Sequence, residues 1–323
     1  MTPVVEVREL RRSYTSSKGL LRRGGKVVEA VRGIDFAIAE GELFGLLGPN
    51  GAGKTTTIKI LTTLLLPTSG EARVLGFDVA RETKQIRRRI GYVFGGERGL
   101  YDRLSGLDNL RFFADVYRVP ARDQRARIGE LLELVGLDGR ERERVETYSR
   151  GMRQRLHIAR GLLHDPEVLF LDEPTIGLDP VGGRELRVMI RALVDAGKTV
   201  LLTTHYMFEA DELCDRVAVI AGGEIISEGT PSSLKAHVAD RHVVEIEVFG
   251  ADDAVVDRLR GVDGVATVTS EAREQAQLLV VQSSRGPELV ERLLAELQGL
   301  RVGRIVSREP TLEDAYVQLV GEA

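Results

Sequence analysis

Apolar residues recur along the chain at two spacings, and each spacing predicts a different kind of element. Short apolar runs bounded by glycine, proline or polar residues predict strands. From about residue 98 to residue 163 the apolar residues recur at helical spacing, as in Leu107, Leu110 and Phe113, which predicts a helical insert. Strands that alternate with helices imply a largely parallel sheet, so an α/β fold is expected. The predicted strands are residues 4–7, 33–38, 43–47, 168–171, 199–203 and 217–220.

The pattern changes after Pro231, where the signals follow in the order strand, helix, strand, strand, helix, strand. This is the split arrangement of small ferredoxin-like α+β domains. We therefore expect two domains, residues 1–232 with the helical insert and residues 240–323. Within the first, a polar stretch at residues 16–26 predicts an exposed loop, and the helix after Gly53 is expected to run until Pro67.

Charge and composition exclude several classes of partner. The 45 basic residues are balanced by 49 acidic ones, so no long-range positive field favours nucleic acid. No apolar run approaches the roughly 20 residues of a spanning helix, and the N-terminal residues lack a secretory pattern. Membrane association is therefore expected through another protein. The single cysteine, Cys214, fits a reducing cytoplasm.

A glycine-rich segment at residues 48–55 predicts a phosphate site. It fits the pattern G-x-x-x-x-G-K-[ST] and lies between a predicted strand and a predicted helix. The glycines allow backbone N–H groups to turn inward, Lys54 is placed to reach the β- and γ-phosphates of ATP, and Thr55 offers a hydroxyl to Mg²⁺. The predicted ATP-binding residues of this segment are Gly48, Pro49, Asn50, Gly51, Ala52, Gly53, Lys54, Thr55 and Thr56.

Two adjacent acids predict the chemistry of that site. The apolar strand at residues 168–171 ends in Asp172 and Glu173, about 120 residues after the glycine-rich segment. A buried strand delivers Asp172 rigidly to the metal ion, while Glu173 is placed to polarise an attacking water molecule. The residues therefore predict hydrolysis of ATP with Mg²⁺, and Lys54 is counted with Glu173 among the catalytic residues.

Residues 148–155 resemble the signature of the ATP-binding cassette (ABC) proteins, usually written L-S-G-G-Q. Ser149 and Gly151 are kept, whereas Tyr148, Arg150 and Met152 replace the usual residues. The resemblance covers residues 4–231 and implies the P-loop NTPase fold of an ABC cassette. It also implies that Ser149 and Gly151 bind a γ-phosphate at the start of a helix.

Further residues acquire roles from the same resemblance. Asp179 lies in a segment similar to the D-loop, His205 resembles the switch histidine that contacts the γ-phosphate, and Tyr14 corresponds to the aromatic residue that stacks on adenine. One position departs from the family. The strand at residues 90–93 is followed by Phe-Gly-Gly-Glu without the usual Gln, and either Glu97 acts through water or the metal is held without it.

Within the family, residues 90–100, the signature and residues 309–316 resemble ATPases of drug-resistance exporters of the daunorubicin/doxorubicin type. This implies a subunit on the cytoplasmic face of the membrane that powers a separate ABC-2 type permease. The signature cannot reach its own P-loop in this family, so a head-to-tail homodimer is implied. We expect the permease to contact Leu100, Tyr101 and Phe112, although Phe112 equally fits ordinary packing within the insert.

Two other functions remain open from the sequence. The same cassette occurs in soluble ATPases of translation or DNA repair, which typically carry two cassettes or a long coiled coil. The second open function is that of a regulator that binds nucleotide without hydrolysing it. It is disfavoured because the residues expected for hydrolysis are all present, namely Lys54, Thr55, Asp172, Glu173 and His205. The C-terminal domain is expected either to steady the dimer, to regulate turnover, or to act as a stabilising appendage. No residue specifies the transported compound.

Overall fold

The computed structural model describes residues 3–15, 27–94, 99–238, 241–273, 276–283 and 289–321. The chain forms two compact units, Met1–Glu228 and Gly229–Ala323. The polar loop expected at residues 16–26 and the position of Glu97 lie outside the described residues. Among the described helices, none combines the length and apolar character that crossing a bilayer requires.

The first unit contains two sheets and a group of helices. Its strands are β1 (Val5–Thr15), β2 (Val27–Ile38), β3 (Leu43–Leu47), β4 (Ser69–Val74), β5 (Phe77–Asp78), β6 (Ile90–Val93), β7 (Val168–Asp172), β8 (Thr199–Thr204), β9 (Arg216–Ala221) and β10 (Glu224–Gly229). Its helices are α1 (Lys54–Leu61), α2 (Thr83–Arg87), α3 (Gly106–Val116), α4 (Ala121–Leu134), α5 (Arg150–Leu162), α6 (Pro180–Asp195) and α7 (Met207–Leu213).

A six-stranded sheet positions the functional residues. Its order is β10-β9-β3-β8-β7-β6, and the pairs β9/β3, β3/β8, β8/β7 and β7/β6 are parallel. Every residue of β3, β7 and β8 is buried, which agrees with the apolar runs in β3 and β7 and with the Val-Leu-Leu centre of β8. Because the strands are parallel, their carboxyl ends meet at one edge, where the loops after β3, β7 and β8 converge.

The second sheet has the order β2-β1-β4-β5, with antiparallel pairing throughout. Its apolar face shares a core with the parallel sheet. Phe36 of β2 and Phe44 of β3 stack with their ring centroids 5.3 Å apart. This contact packs one sheet against the other.

A close approach at Gly45 joins β3 to the segment after α7. A Cβ atom added to Gly45 would lie 2.7 Å from the Sγ atom of Cys214, so only glycine fits. Cys214 is the only cysteine of the chain, and its side chain is buried. Burial raises the pKa of the Cys214 thiol well above its usual range, with nearby Glu209 adding to the effect.

The helical insert consists of α3, α4 and α5, and it packs on the edge strand β6. A Cβ atom on Gly91 would lie 2.5 Å from the carbonyl oxygen of Gly161. The glycine in β6 therefore allows α5 to approach the sheet closely. α3 begins with an N-cap at Ser105, whose Oγ accepts a hydrogen bond from the backbone N–H of Asp108 at 3.0 Å.

The helix after the glycine-rich loop is shorter than predicted. α1 ends at Leu61, six residues before Pro67, because Thr63 adopts a left-handed backbone conformation with φ 63°. The backbone N–H of Leu64 then donates to the carbonyl of Lys59 at 2.8 Å, which closes the helix end. The expectation that proline would end the helix was wrong, since the backbone reverses before Pro67 is reached.

The second unit has its own core beneath one antiparallel sheet. Its strands are β11 (His242–Phe249), β12 (Val265–Arg273), β13 (Ala276–Ser283) and β14 (Arg301–Arg308), and its helices are α8 (Pro231–Ala236), α9 (Asp253–Arg260), α10 (Leu289–Glu296) and α11 (Leu312–Gly321). The sheet order is β12-β13-β11-β14. From His242 to Arg308 the unit follows the order strand, helix, strand, strand, helix, strand, and it is flanked by α8 and α11.

A partly buried ion pair orders the end of the second unit. Arg308 in β14 donates to Asp314 of α11 at 2.5 Å and to Glu245 of β11 at 2.6 Å. Asp314 also accepts a hydrogen bond from the backbone N–H of Thr311 at 2.7 Å. The acidic residues in the exporter-like segment 309–316 therefore act, in part, as a cap that joins α11 to the sheet.

Candidate active site

The phosphate loop lies between β3 and α1, and its shape depends on close backbone contacts. A Cβ atom on Gly48 would collide with the carbonyl oxygen of Ile220. Gly53, the N-cap of α1, has φ 113°, and a Cβ atom there would lie 2.5 Å from the carbonyl oxygen of Ala30. Both positions require glycine, which leaves the N-terminus of α1 open to an anionic group.

Lys54 is the buried cation of this loop, with 4% of its side chain exposed. Its Nζ donates to the carbonyl oxygens of Gly48 at 2.7 Å and Pro49 at 3.1 Å. The same Nζ lies 3.2 Å from Oε1 of Glu173, so the loop and the acid after β7 are joined by one ammonium group. A desolvated cation held in this way is suited to binding phosphate.

Two hydroxyl groups meet the carboxylate of Asp172 at the end of β7. Its Oδ1 accepts hydrogen bonds from Thr55 Oγ1 at 3.1 Å and from Thr203 Oγ1 at 2.6 Å. Thr203 faces Asp172 because β7 and β8 pair in that register. A carboxylate and a hydroxyl are the hard oxygen ligands that Mg²⁺ prefers, so the residues present fit this ion.

Glu173 is held from three sides. Its backbone N–H donates to Thr203 Oγ1 at 3.1 Å, Oε1 faces Lys54, and Oε2 lies 3.3 Å from Nδ1 of His205. Nδ1 of His205 has no hydrogen-bond partner among the described residues. The backbone of Glu173 is left-handed, with φ 48°. Strain of this kind is maintained where the surrounding structure fixes a side chain for chemistry.

Two residues near the acids were missed by the sequence analysis. Thr203 binds both Asp172 and Glu173, and the only local signal for it is its place near the end of β8, two residues before His205. Tyr92 of β6 has a buried hydroxyl without a hydrogen-bond partner in the part of the chain described. Burial, and secondarily the charge of Asp172, raises the pKa of Tyr92 well above its usual range.

The signature and the D-loop each cap a helix. Ser149 is the N-cap of α5, and its Oγ accepts from the N–H of Met152 at 3.2 Å, while Gly151 lies in the first turn. Asp179 is the N-cap of α6 and accepts from the N–H of Gly182 at 3.3 Å. Within the described ranges, neither Ser149 nor Asp179 forms a hydrogen bond or ion pair with the phosphate loop or the two acids.

A cavity of about 280 Å³ lies between α5 and the D-loop. His157, which is fully buried, lines it with both ring nitrogens lacking a hydrogen-bond partner in the described residues. Burial, followed by the charges of Arg160 and Arg153, lowers the pKa of His157 to about 3. The imidazole is therefore neutral over the physiological range.

Tyr14 stands apart from these groups on β1, and 40% of its side chain is exposed. It pairs across the sheet with Val28, which is also exposed, and the guanidinium of Arg12 lies 4.8 Å from its ring centroid. An exposed ring beside an apolar neighbour is a surface on which a flat base can stack. No described contact links Tyr14 to the phosphate loop.

Comparison with known proteins gives consistent matches. The family model described as ABC transporter matches residues 31–176. A daunorubicin resistance ATP-binding protein of Streptomyces coeruleorubidus is 42% identical over 91% of this chain and 92% of its own length. A linearmycin resistance ATP-binding protein of Bacillus subtilis is 36% identical over 90% of this chain and 93% of its own length.

A solved structure extends the match to the fold. It is the dimeric structure of a post-hydrolysis state of an ATP-binding cassette bound to ADP and phosphate. It is 28% identical, with a TM-score of 0.61, and the match covers 70% of this chain and 98% of that one. The ABC cassette fold expected from the sequence is thereby confirmed.

Proposed function

The chain belongs to the ABC transporter family as an ATP-binding, ATP-hydrolysing subunit, and on this premise we propose that it powers export of a drug, antibiotic or other hydrophobic compound through a separate ABC-2 type permease. The two resistance proteins match it over nine tenths of both chains, which supports the exporter role. This support disfavours the alternative of a soluble ATPase in translation or DNA repair.

We assign each site residue a role in hydrolysis. Lys54 binds the phosphates, Thr55 and Asp172 hold Mg²⁺, and Glu173 accepts the proton of the attacking water, while His205 steadies the transferred group. When bound, Mg²⁺ neutralises charge on the phosphates. The observation that supports this most strongly is the position of Glu173, whose two carboxylate oxygens lie 3.2 Å from Lys54 and 3.3 Å from His205.

Glu173→Gln tests the assignment. The amide keeps the size of the side chain but cannot accept the proton, so phosphate release is expected to fall by about a hundredfold or more. Binding of Mg-ATP should persist, because the phosphate loop is intact. Glu133→Gln, on the exposed side of α4, is the matched control. Unchanged phosphate release from Glu173→Gln would assign the proton transfer to another group.

We further propose that two copies join head to tail around two ATP molecules. Ser149 and Gly151 begin a helix whose N–H groups favour an anion, and this anion is supplied by the second copy. The dimeric solved relative supports this arrangement. Glu173→Gln should therefore accumulate as a dimer with Mg-ATP, which analytical ultracentrifugation would detect. A monomer at saturating Mg-ATP would contradict the dimer.

The permease is proposed to dock on the helical insert. Tyr101 and Phe112 are 49% and 42% exposed, and their rings meet at 5.0 Å. A groove of about 910 Å³ includes Tyr117, whose ring lies 6.2 Å from that of Phe113, and it is lined by α2, α4 and the turns after α3 and α5. Its cations outnumber its two aspartates, so an amphipathic segment with acidic residues is the complementary occupant. The cations are Lys84, Arg87, Arg88, Arg118 and Arg127.

Cross-linking tests this docking surface. A photoreactive residue in place of Tyr101 should capture a co-expressed permease, whereas the same residue in place of the exposed Glu133 should not. Capture would also support the proposed peripheral position of the subunit at the cytoplasmic face of the membrane. Equal capture from both positions, or capture from neither, would move the contact elsewhere.

A further inference from the structure

Arg160 is a buried cation outside the catalytic groups. It lies near the end of α5, the helix that begins at the signature, and only 4% of its surface is exposed. In the described part of the chain no carboxylate forms an ion pair with it, and its Nε has no hydrogen-bond partner. Burial lowers the pKa of its guanidinium, which nevertheless remains charged. An apolar side chain would avoid this desolvation cost, so local stability alone does not explain an arginine here.

The two contacts of Arg160 lead away from its own helix. Nη1 donates to the carbonyl oxygen of Gly99 at 2.6 Å. A Cβ atom on Gly99 would lie 2.7 Å from the same Nη1, and the φ of Gly99 is 105°, so this position is shaped around the guanidinium. The guanidinium also lies 5.0 Å from the ring centroid of Phe113 in α3, within cation–π distance.

Both contacts are with residues that adjoin the surface proposed for the permease. Phe113 packs against Phe112 at 5.2 Å and against Tyr101 at 6.1 Å between ring centroids. Gly99 lies two residues before Tyr101. Arg160 therefore contacts both the segment at Gly99, which leads into this surface, and the ring of Phe113, which packs against its aromatic residues.

We propose that Arg160 is a positioning residue that fixes the signature helix relative to the Gly99 segment and the aromatic surface, so that Ser149 is presented correctly to the nucleotide of a second copy. α5 is one continuous helix, and fixing its end at Arg160 constrains its beginning at Ser149. This inference rests on the proposed dimer.

The test separates nucleotide binding from dimer formation. In the Glu173→Gln background, Arg160→Met removes the charge and the hydrogen bond but retains an apolar stem. The Kd for Mg-ATP should stay within about twofold of the parent, because the phosphate loop is unchanged. The dissociation constant of the ATP-dependent dimer should rise by about tenfold or more. Titration calorimetry and sedimentation measure the two quantities. A melting temperature near that of the parent would separate misplacement of the helix from loss of fold.

Two further variants make the result decisive. Arg160→Lys keeps the charge and one donor, so its dimer should weaken by only about threefold, and this variant carries the test if Arg160→Met does not fold. Arg155→Met is the matched control: Arg155 is on the same helix, is 23% exposed and pairs with Glu185 at 3.5 Å. Its dimer should equal that of the parent.

Each outcome has one meaning. A parent-like dimer in both Arg160 variants would overturn the inference, as would a loss of dimer that Arg155→Met shares or a parallel loss of ATP affinity. A parent that stays monomeric in saturating Mg-ATP would instead show that the proposed homodimer is wrong, and the role of Arg160 would be withdrawn with it.

Discussion

Lys54 shows how one side chain can serve both the loop and the acid that follows β7. Its removal by Lys54→Ala deletes the contacts to Gly48, Pro49 and Glu173 together. Affinity for Mg-ATP is expected to fall by about tenfold or more, since a charge-assisted contact to phosphate is lost. Titration calorimetry measures this. Lys59→Ala, exposed on the same helix, should bind like the unmodified protein.

Binding of ATP by Lys54→Ala with unchanged affinity would contradict the assignment of residues 48–55 as the phosphate loop. The residue pattern would then be a chance match between a strand and a helix. Lys54→Met distinguishes a loss of affinity in Lys54→Ala from unfolding, because it keeps most of the packing of this buried side chain while it removes the charge.

His157 makes folding stability depend on pH. Its pKa is about 3 in the folded chain against about 6.5 when unfolded, so between these values the unfolded chain binds the extra proton. Stability contributed by the neutral ring is present above pH 6.5 and is lost as pH falls towards 3. From pH 7 to pH 5 this group alone should lower the free energy of unfolding by about 2 kcal/mol.

Denaturant unfolding of the unmodified protein and His157→Gln at pH 7 and pH 5 checks this. The variant lacks the titrating ring, so its stability should fall less over the interval, whatever its stability at pH 7. Other titrating groups are common to both proteins and cancel in the comparison. The same pH dependence in both would show that the ring is protonated in the folded state.

Motif residues were easier to predict than the groups that hold them. The phosphate loop and the two acids follow from local spacing, because glycine conformation and a strand end are local properties. Thr203 was missed because its bond to Asp172 depends on the register of β7 against β8, which no local pattern specifies. Tyr92 was missed for the same reason, since the raised pKa of its hydroxyl comes from burial and from Asp172 on the neighbouring strand β7.

Replacement of glycine by alanine is expected to change stability in opposite directions in α4 and β6. Gly129 is exposed in α4, and no atom lies within 4 Å of an added Cβ. Gly129→Ala should therefore stabilise the chain by about 1 kcal/mol through helix propensity. Gly91→Ala should destabilise it by more than that, because the new Cβ would lie 2.5 Å from the carbonyl oxygen of Gly161. Thermal unfolding of both variants tests the pair, and stabilisation by Gly91→Ala would contradict the close approach of α5 to β6.

Element type was more predictable than element length. The buried strands β3, β7 and β8 follow directly from apolar runs, and the helical spacing at residues 98–163 corresponds to α3, α4 and α5. The end of α1 was misplaced because the left-handed backbone at Thr63, a residue that rarely adopts it, carries no sequence signal. Proline identifies where a helix cannot continue, but a helix can end earlier for reasons of packing.

All the residues proposed to be catalytic lie in the unit Met1–Glu228, although the chain continues for a further unit. We therefore expect a chain that ends after Gly229, which completes β10, to bind Mg-ATP within about twofold of the full-length protein. Fluorescence titration measures this. A large loss of affinity would mean that Gly229–Ala323 contributes to nucleotide binding, and comparison of dimer formation would separate its proposed roles in steadying the dimer and regulating turnover.

The single buried Cys214 makes the protein suited to site-specific labelling. Its thiol packs against Gly45 and has a raised pKa, so the reactive thiolate is scarce near neutral pH. A cysteine introduced at an exposed position would react with maleimide far faster than the native one. Fluorophores or spin labels can therefore report distances between two copies without removal of Cys214, and the natural packing of β3 is preserved during the measurement.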